Sequence, residues 1–370
     1  MVMVKNINDI LGLTIKFEFL AILQSFFLAV AIMVSFYFNF LNLKLYLLLS
    51  YFVFIVVVLA GINILVNNTN ISFKIFNISK IELKDYIDEF VVYVKPLLIV
   101  SIFIFASTYL DRWLIQTFYG SVEQGFFSLA TKICGAIFLL TSSFLPILQR
   151  ELSSEIKKQD FIKVKKIYQD YSKVFFSLTA LICIFIALNS QIILEIIGGK
   201  DYLKANTVLS IFSIYTIYRV KNQFYLIYFY ALEDTRIIRF NTVVSYLVAM
   251  PLAYLLVAPR YVFGLEMGII GLTVKLLFIQ HLQIIIYTIF IKRKLRISSI
   301  VIIFNELLII IIFSLICISS NKISVVIFSS LYAQNITNLL LYMVGAFIFM
   351  FYMPSIFGRL PRSLNFFSFK

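Results

Sequence analysis

The chain has 370 residues, of which 62% are hydrophobic and only 14% are charged. Soluble globular proteins carry about 45–50% apolar and about 25% charged residues, so this composition excludes a soluble fold and favours an integral membrane protein. The net charge of +14 would suit nucleic acid, but the basic residues do not gather on a single binding face, and we expect no nucleic-acid partner.

Ten apolar blocks follow one another along the chain. Each is roughly 20 residues long, enough to cross a hydrocarbon core of about 30 Å as a helix. The blocks lack the alternation of apolar and polar residues that marks a membrane strand. The sequence therefore predicts an all-α, polytopic transmembrane helix bundle of about ten spans. The blocks are residues 17–40, 43–66, 95–118, 122–147, 172–197, 205–230, 239–258, 267–291, 300–319 and 334–352.

The loop charges orient this bundle. If the N-terminus is cytoplasmic, most Lys and Arg residues outside the spans fall in inward segments, as the positive-inside rule requires. Both termini are then cytoplasmic, and the short outward loops indicate a multi-pass protein of the bacterial inner membrane. In one inward segment, Phe161, Val164, Tyr168 and Tyr171 have helical spacing opposite three lysines. This pattern indicates either an amphipathic helix on the cytoplasmic leaflet or a solvated connector.

Cations inside the predicted spans point to a functional site, because each costs at least about 2.5 kcal/mol near the bilayer centre. Ser, Thr and Gln residues accompany three of them at helical spacing, which gives the third, fourth and sixth spans one polar stripe each. Such stripes turn away from lipid and predict a shared cavity of positive charge. A pyrophosphate or another anionic headgroup would neutralise that cavity. The predicted cavity cations are Arg112, Lys132, Arg219, Lys221 and Lys275.

Three carboxylates in comparable positions are candidates for coupling groups or ion-pair partners: Asp111, Glu18 and Glu306. Asp111 and Arg112 are adjacent, so on a helix their side chains diverge by about 100° and each needs a partner on another helix. For these two residues, interhelical ion pairing or contact with the outer headgroups is an equal alternative to the cavity. The three cysteines and the single histidine form no ligand cluster in the sequence, so we expect neither a metal nor another cofactor.

Short motifs in and around the third to sixth spans occur in a consistent order and spacing. They are Lys95-Pro96, Asp111-Arg112-Trp113-Leu114, Gly120, Glu123, Gly125-Phe126-Phe127-Ser128-Leu129-Ala130, Lys132, Pro146, Ser153, Asp160, Gly199-Lys200-Asp201-Tyr202 and Ala205. In that order they resemble the polysaccharide (O-antigen) flippases, a family of the superfamily that includes lipid II flippases and MATE exporters.

This resemblance implies a transporter without covalent catalysis. It would translocate undecaprenyl-pyrophosphate-linked oligosaccharide, an O-antigen or other surface-polysaccharide repeat unit, across the inner membrane by alternating access. The resemblance also implies that the family's first four helices are missing. Its partners would then be the lipid-linked oligosaccharide, membrane lipids, and a second copy or the missing N-terminal lobe. The implied organisation is a two-helix remnant of that lobe (1–66), a cytoplasmic linker (67–94), a C-terminal six-helix lobe (95–291), and two additional helices with a cytoplasmic tail (292–370).

Two other functions stay open at this point. A cation-coupled multidrug exporter of the same superfamily would use acidic intramembrane groups, and Glu18 and Glu306 are candidates for them. A membrane polysaccharide polymerase or glycosyltransferase would need a catalytic loop. The outward loops are short and carboxylates are scarce, so we do not expect an enzyme.

Overall fold

The computed structural model describes residues 14–38, 40, 42–68, 80–142, 144–295, 299–328 and 330–357, which form helices and connecting turns with no strand among them. Two short 3-10 turns, Lys200–Ala205 and Arg260–Val262, join longer elements. The helices are α1 (Thr14–Tyr37), α2 (Leu43–Asn68), α3 (Lys80–Ser142), α4 (Leu145–Lys157), α5 (Phe161–Leu188), α6 (Ser190–Gly198), α7 (Asn206–Ala231), α8 (Thr235–Val257), α9 (Gly268–Leu295), α10 (Ser299–Ile327), α11 (Leu331–Tyr352) and α12 (Pro354–Phe357).

Seven of the described helices are long and apolar enough to cross a membrane. The predicted class, an all-α membrane helix bundle, is therefore confirmed. Among these seven helices α3 counts once, although it is kinked within its length. The apolar stretch of α1 is shorter, and α7 is not among the seven. The count of ten spans and the cytoplasmic position of both termini stay predictions.

The chain divides into two compact units, Met1–Ile87 and Asp88–Lys370. In the first unit α1 packs against α2. Most of the large apolar side chains on both helices are exposed, including Phe26 and Phe52. Apolar surface on this scale suits contact with lipid, because soluble monomers rarely expose such continuous patches.

Helix α3 contains the sharpest feature of the second unit. At Gly120 the backbone adopts φ 78°, in the left-handed region that glycine enters without a Cβ clash, and the helix divides there into two limbs. The break falls between the predicted third and fourth spans. The first limb begins at Lys80, so the second half of the predicted linker 67–94 is helical and continuous with the third span. Residues 69–79 of that linker lie outside the described part.

The interpretation of the face formed by Phe161, Val164, Tyr168 and Tyr171 as part of a leaflet helix or of a solvated connector is wrong for three of the four residues. Asp160 caps the start of α5, its carboxylate accepting a hydrogen bond from the Lys163 backbone N–H at 3.0 Å. Val164, Tyr168 and Tyr171 are buried in an aromatic cluster with residues of α7. These three residues therefore pack on protein, whereas Phe161 at the start of α5 is 49% exposed.

The fifth span also ends earlier than predicted. Asn189 has a non-helical backbone (φ −116°, ψ 24°), so α5 stops at Leu188 and α6 begins as a separate helix at Ser190. The Asn189 side chain accepts a hydrogen bond from Asn338 Nδ2 at 3.0 Å, and Asn338 Oδ1 accepts one from Ser320 Oγ at 2.6 Å. These bonds join α10 and α11 to α5, so the two additional helices belong to the same compact unit as the predicted six-helix lobe.

Candidate functional site: a cationic cavity

Five helical segments of the second unit enclose a cavity with a volume of about 480 Å³. Both limbs of α3 contribute to its wall, together with α7, α8 and α9. The apolar sides of the same helices contribute to two buried clusters, which leaves the polar stripes to line the cavity. The polar lining residues are Ser107, Thr108, Asp111, Arg112, Ser128, Thr131, Lys132, Tyr215, Arg219, Asn222, Gln223, Tyr230, Thr242, Tyr246, Lys275, Gln280, Gln283 and Tyr287.

Three cations in the cavity wall come from three different segments. Arg112 lies on the first limb of α3, Lys132 on the second limb, and Arg219 on α7. Within the described part of the chain, none of the three forms an ion pair. The Arg219 guanidinium lies 4.0 Å from the centroid of the Phe138 ring, an arrangement in which the aromatic face stabilises the cation.

A fourth cation, Lys275 on α9, is neutralised inside the wall. Its Nζ donates to both carboxylate oxygens of Asp111, each at 2.7 Å, and only 1% of the lysine surface is exposed. Asp111 therefore forms an interhelical ion pair and also lines the cavity. Asp111 is the one carboxylate among the described lining residues, so the cavity carries three positive charges without a carboxylate to balance them.

The fifth predicted cavity cation, Lys221, is not among the described lining residues, so the prediction that it faces the cavity is wrong. Its Nζ lies 2.6 Å from Oε2 of Glu306 on α10, and both side chains are buried. The physical reason is helical geometry, because two residues along a helix rotate a side chain by about 200° from Arg219. Of the remaining candidates, the Glu18 side chain lies outside the part that the structure describes.

Several amide and tyrosine residues of the lining were not singled out from the sequence. Gln280 and Gln283 lie three residues apart on one face of α9, and that spacing within an apolar helix is the signal that could have found them. Gln283 Oε1 accepts a hydrogen bond from Asn222 Nδ2 on α7 at 2.9 Å. Gln280 Nε2 and Asn222 Oδ1 are buried with no hydrogen-bond partner among the described residues.

Comparison of this chain with models of protein families, with curated proteins and with solved structures found no match. The resemblance to polysaccharide flippases accordingly rests on the sequence motifs alone.

Proposed function

We propose that the chain is a transporter of the bacterial inner membrane whose cavity binds the pyrophosphate of a polyprenyl-linked oligosaccharide during its transfer across the bilayer. One observation carries this proposal: Arg112, Lys132 and Arg219 line one cavity, and Asp111, the one carboxylate among its described lining residues, is already paired with Lys275. Arg112 and Lys132 are exposed and Arg219 is half-buried, and a concentration of like charges from three helical segments at one cavity favours an anionic ligand.

The chemistry of the three side chains suits a pyrophosphate. An arginine guanidinium donates two parallel hydrogen bonds to phosphate oxygens, and a lysine ammonium supplies a compact charge. Each group approaches the cavity from a different segment, so several oxygens of one ligand can be engaged at once. Alternating access needs two halves around the site, so the proposal includes a second half from another copy or another lobe.

The exporter alternative is less well supported by the same residues. It requires carboxylates that are free to bind a cation or a proton. Both candidates with described side chains are already paired, Asp111 with Lys275 and Glu306 with Lys221. We therefore favour the lipid-linked oligosaccharide as the transported molecule.

A binding measurement tests the proposal directly. The purified chain in lipid nanodiscs is titrated with polyprenyl pyrophosphate and, for comparison, with the dephosphorylated polyprenol. We expect binding of the pyrophosphate only, and each of Arg112→Gln and Lys132→Gln should weaken it by about tenfold or more, since a hydrogen bond to a charged group contributes about 1.5–3 kcal/mol.

The matched control is Arg260→Gln, which removes one positive charge from an exposed turn outside the cavity. If the wild-type chain does not distinguish pyrophosphate from polyprenol, the proposal fails. It fails equally if the control variant weakens binding as much as the cavity variants do. Restoration of surface polysaccharide in a bacterium lacking its flippase then tests transport with the same variants.

A further inference from the structure

Beyond the cations, the cavity contains a group of uncharged amides and tyrosines. We infer that this amide compartment, defined by Asn222, Gln223, Gln280, Gln283 and Tyr287, binds neutral sugar residues next to the pyrophosphate. The inference rests on the proposed function, because it assigns the glycan of the same ligand to a second part of the same cavity.

The positions along α7 and α9 separate the two parts. These helices run parallel, since Asn222 bonds to Gln283 and Thr288 Oγ1 donates to the Tyr225 hydroxyl at 3.0 Å. In that register Gln280 lies level with Arg219, at the border of the two parts, and Lys275 lies nearer the beginning of α9. Among the described lining residues of both helices, those beyond this level, toward the C-terminal ends, carry no charge.

Two polar atoms in the amide compartment lack partners. Gln280 exposes only 6% of its surface, and its Nε2 donor has no partner among the described residues. The Asn222 Oδ1 acceptor is likewise buried and unpaired within the described part of the chain, although its Nδ2 is bonded to Gln283. Leaving such a group unpaired costs about 1–3 kcal/mol, so both atoms favour a ligand that supplies the missing bonds.

The kind of ligand follows from what each atom needs. A phosphate oxygen accepts hydrogen bonds and would satisfy the donor Gln280 Nε2, but it would leave Asn222 Oδ1 unpaired. A hydroxyl group both donates and accepts, so a molecule with several hydroxyls satisfies both atoms. Tyr230 and Tyr287 add rings with an apolar face and a polar hydroxyl to the same region. These properties together describe a site for neutral sugar.

The deciding experiment separates the sugar from the pyrophosphate. The full chain in nanodiscs is titrated with polyprenyl pyrophosphate and with the native polyprenyl-pyrophosphate-linked oligosaccharide extracted from the source cells. We expect the wild type to bind the glycosylated lipid more tightly. Gln280→Met, which removes the amide at similar volume, should weaken binding of the glycosylated lipid by about fivefold, the value of one neutral hydrogen bond, and leave polyprenyl pyrophosphate unchanged.

Gln124→Met is the matched control. Gln124 also has a buried, unpaired amide oxygen, but it does not line the cavity, so this variant should bind both lipids as the wild type does. Gln280→Leu repeats the measurement if the methionine variant does not fold. The inference is overturned if loss of the Gln280 amide weakens both lipids equally or neither. A wild-type chain that binds neither lipid would instead overturn the proposed function.

Discussion

Helix α7 carries two cations two residues apart, and they have opposite surroundings. Arg219 faces the cavity and rests on the ring of Phe138, with no carboxylate near enough for an ion pair in the described part of the chain. Lys221 is buried and bonded to Glu306 of α10 at 2.6 Å. In the sequence both are basic residues in an apolar span, so only their partners distinguish them.

The comparison separates a structural charge from a ligand-binding charge. A buried pair such as Lys221–Glu306 is neutral as a unit, and loss of either partner leaves an uncompensated charge in a low-dielectric interior. An unpaired cation at a cavity wall contributes little to packing and is available to a ligand. The two kinds of cation should therefore respond in opposite ways to substitution, in stability and in anion binding.

The largest effect is expected on stability, at the buried ion pair between Lys221 and Glu306. Glu306→Gln should lower the free energy of unfolding by about 3–5 kcal/mol, because Lys221 is left buried without its carboxylate. Denaturant unfolding in detergent micelles measures this loss. The double variant Lys221→Met/Glu306→Leu, which removes both charges, should recover most of the stability. A single variant as stable as the wild type would show that the pair is not structural.

At Arg219, in the cavity wall, substitution should affect anion binding more than stability. Arg219→Gln should change the free energy of unfolding by less than about 1 kcal/mol. It should weaken binding of polyprenyl pyrophosphate by about tenfold or more, because a charged hydrogen-bond donor is lost. Unfolding and nanodisc titration on the same preparation give both values. A stability loss as large as that of Glu306→Gln would contradict the distinction between the two cations.

A smaller effect on anion binding is expected from Phe138, whose ring lies beneath the Arg219 guanidinium. Phe138→Leu removes the aromatic face 4.0 Å from Arg219, so the arginine is held less firmly and anion affinity should fall by about threefold. Phe138→Tyr keeps a ring at that place and should bind as the wild type does. Equal losses in both variants would show that packing, and not the aromatic face, accounts for the effect.

The smallest effect concerns Glu155 on α4, outside the predicted spans. Hydrogen bonds from Lys158 at 2.8 Å and from Lys163 at 3.0 Å hold the pKa of its carboxyl below the usual value of 4.5. Because the folded-state pKa is depressed, the contribution to stability is present above the unfolded-state pKa and is lost as pH falls through the folded value.

Glu155→Gln should therefore remove a small part of the stability that the wild type loses on acidification. Thermal unfolding of both chains between about pH 6 and about pH 3 measures the difference. The two melting temperatures should converge at the acid end. A difference that stays constant across this range would show that the carboxylate charge is not responsible.

Features of the fold that depend on residues close together in the sequence were predictable. The division of α3 near Gly120 follows from an interruption between two apolar blocks, and the stripes containing Arg112, Lys132 and Arg219 follow from helical spacing. The misjudged features depend on contacts between distant segments. The apolar face of residues 161–171 looked the same whether it met lipid or protein, and the structure packs it against α7.

The sequence by itself determined that this protein lies in lipid and that its apolar segments are helices. Long apolar blocks must bury themselves in lipid, and a helix satisfies its own backbone hydrogen bonds there. Only the tertiary structure decided which buried charges are neutralised. Asp111 and Lys275 are 164 residues apart, and Lys221 and Glu306 are 85 apart. No local pattern encodes such pairs, because a salt bridge depends on which helices pack side by side and on how each is rotated.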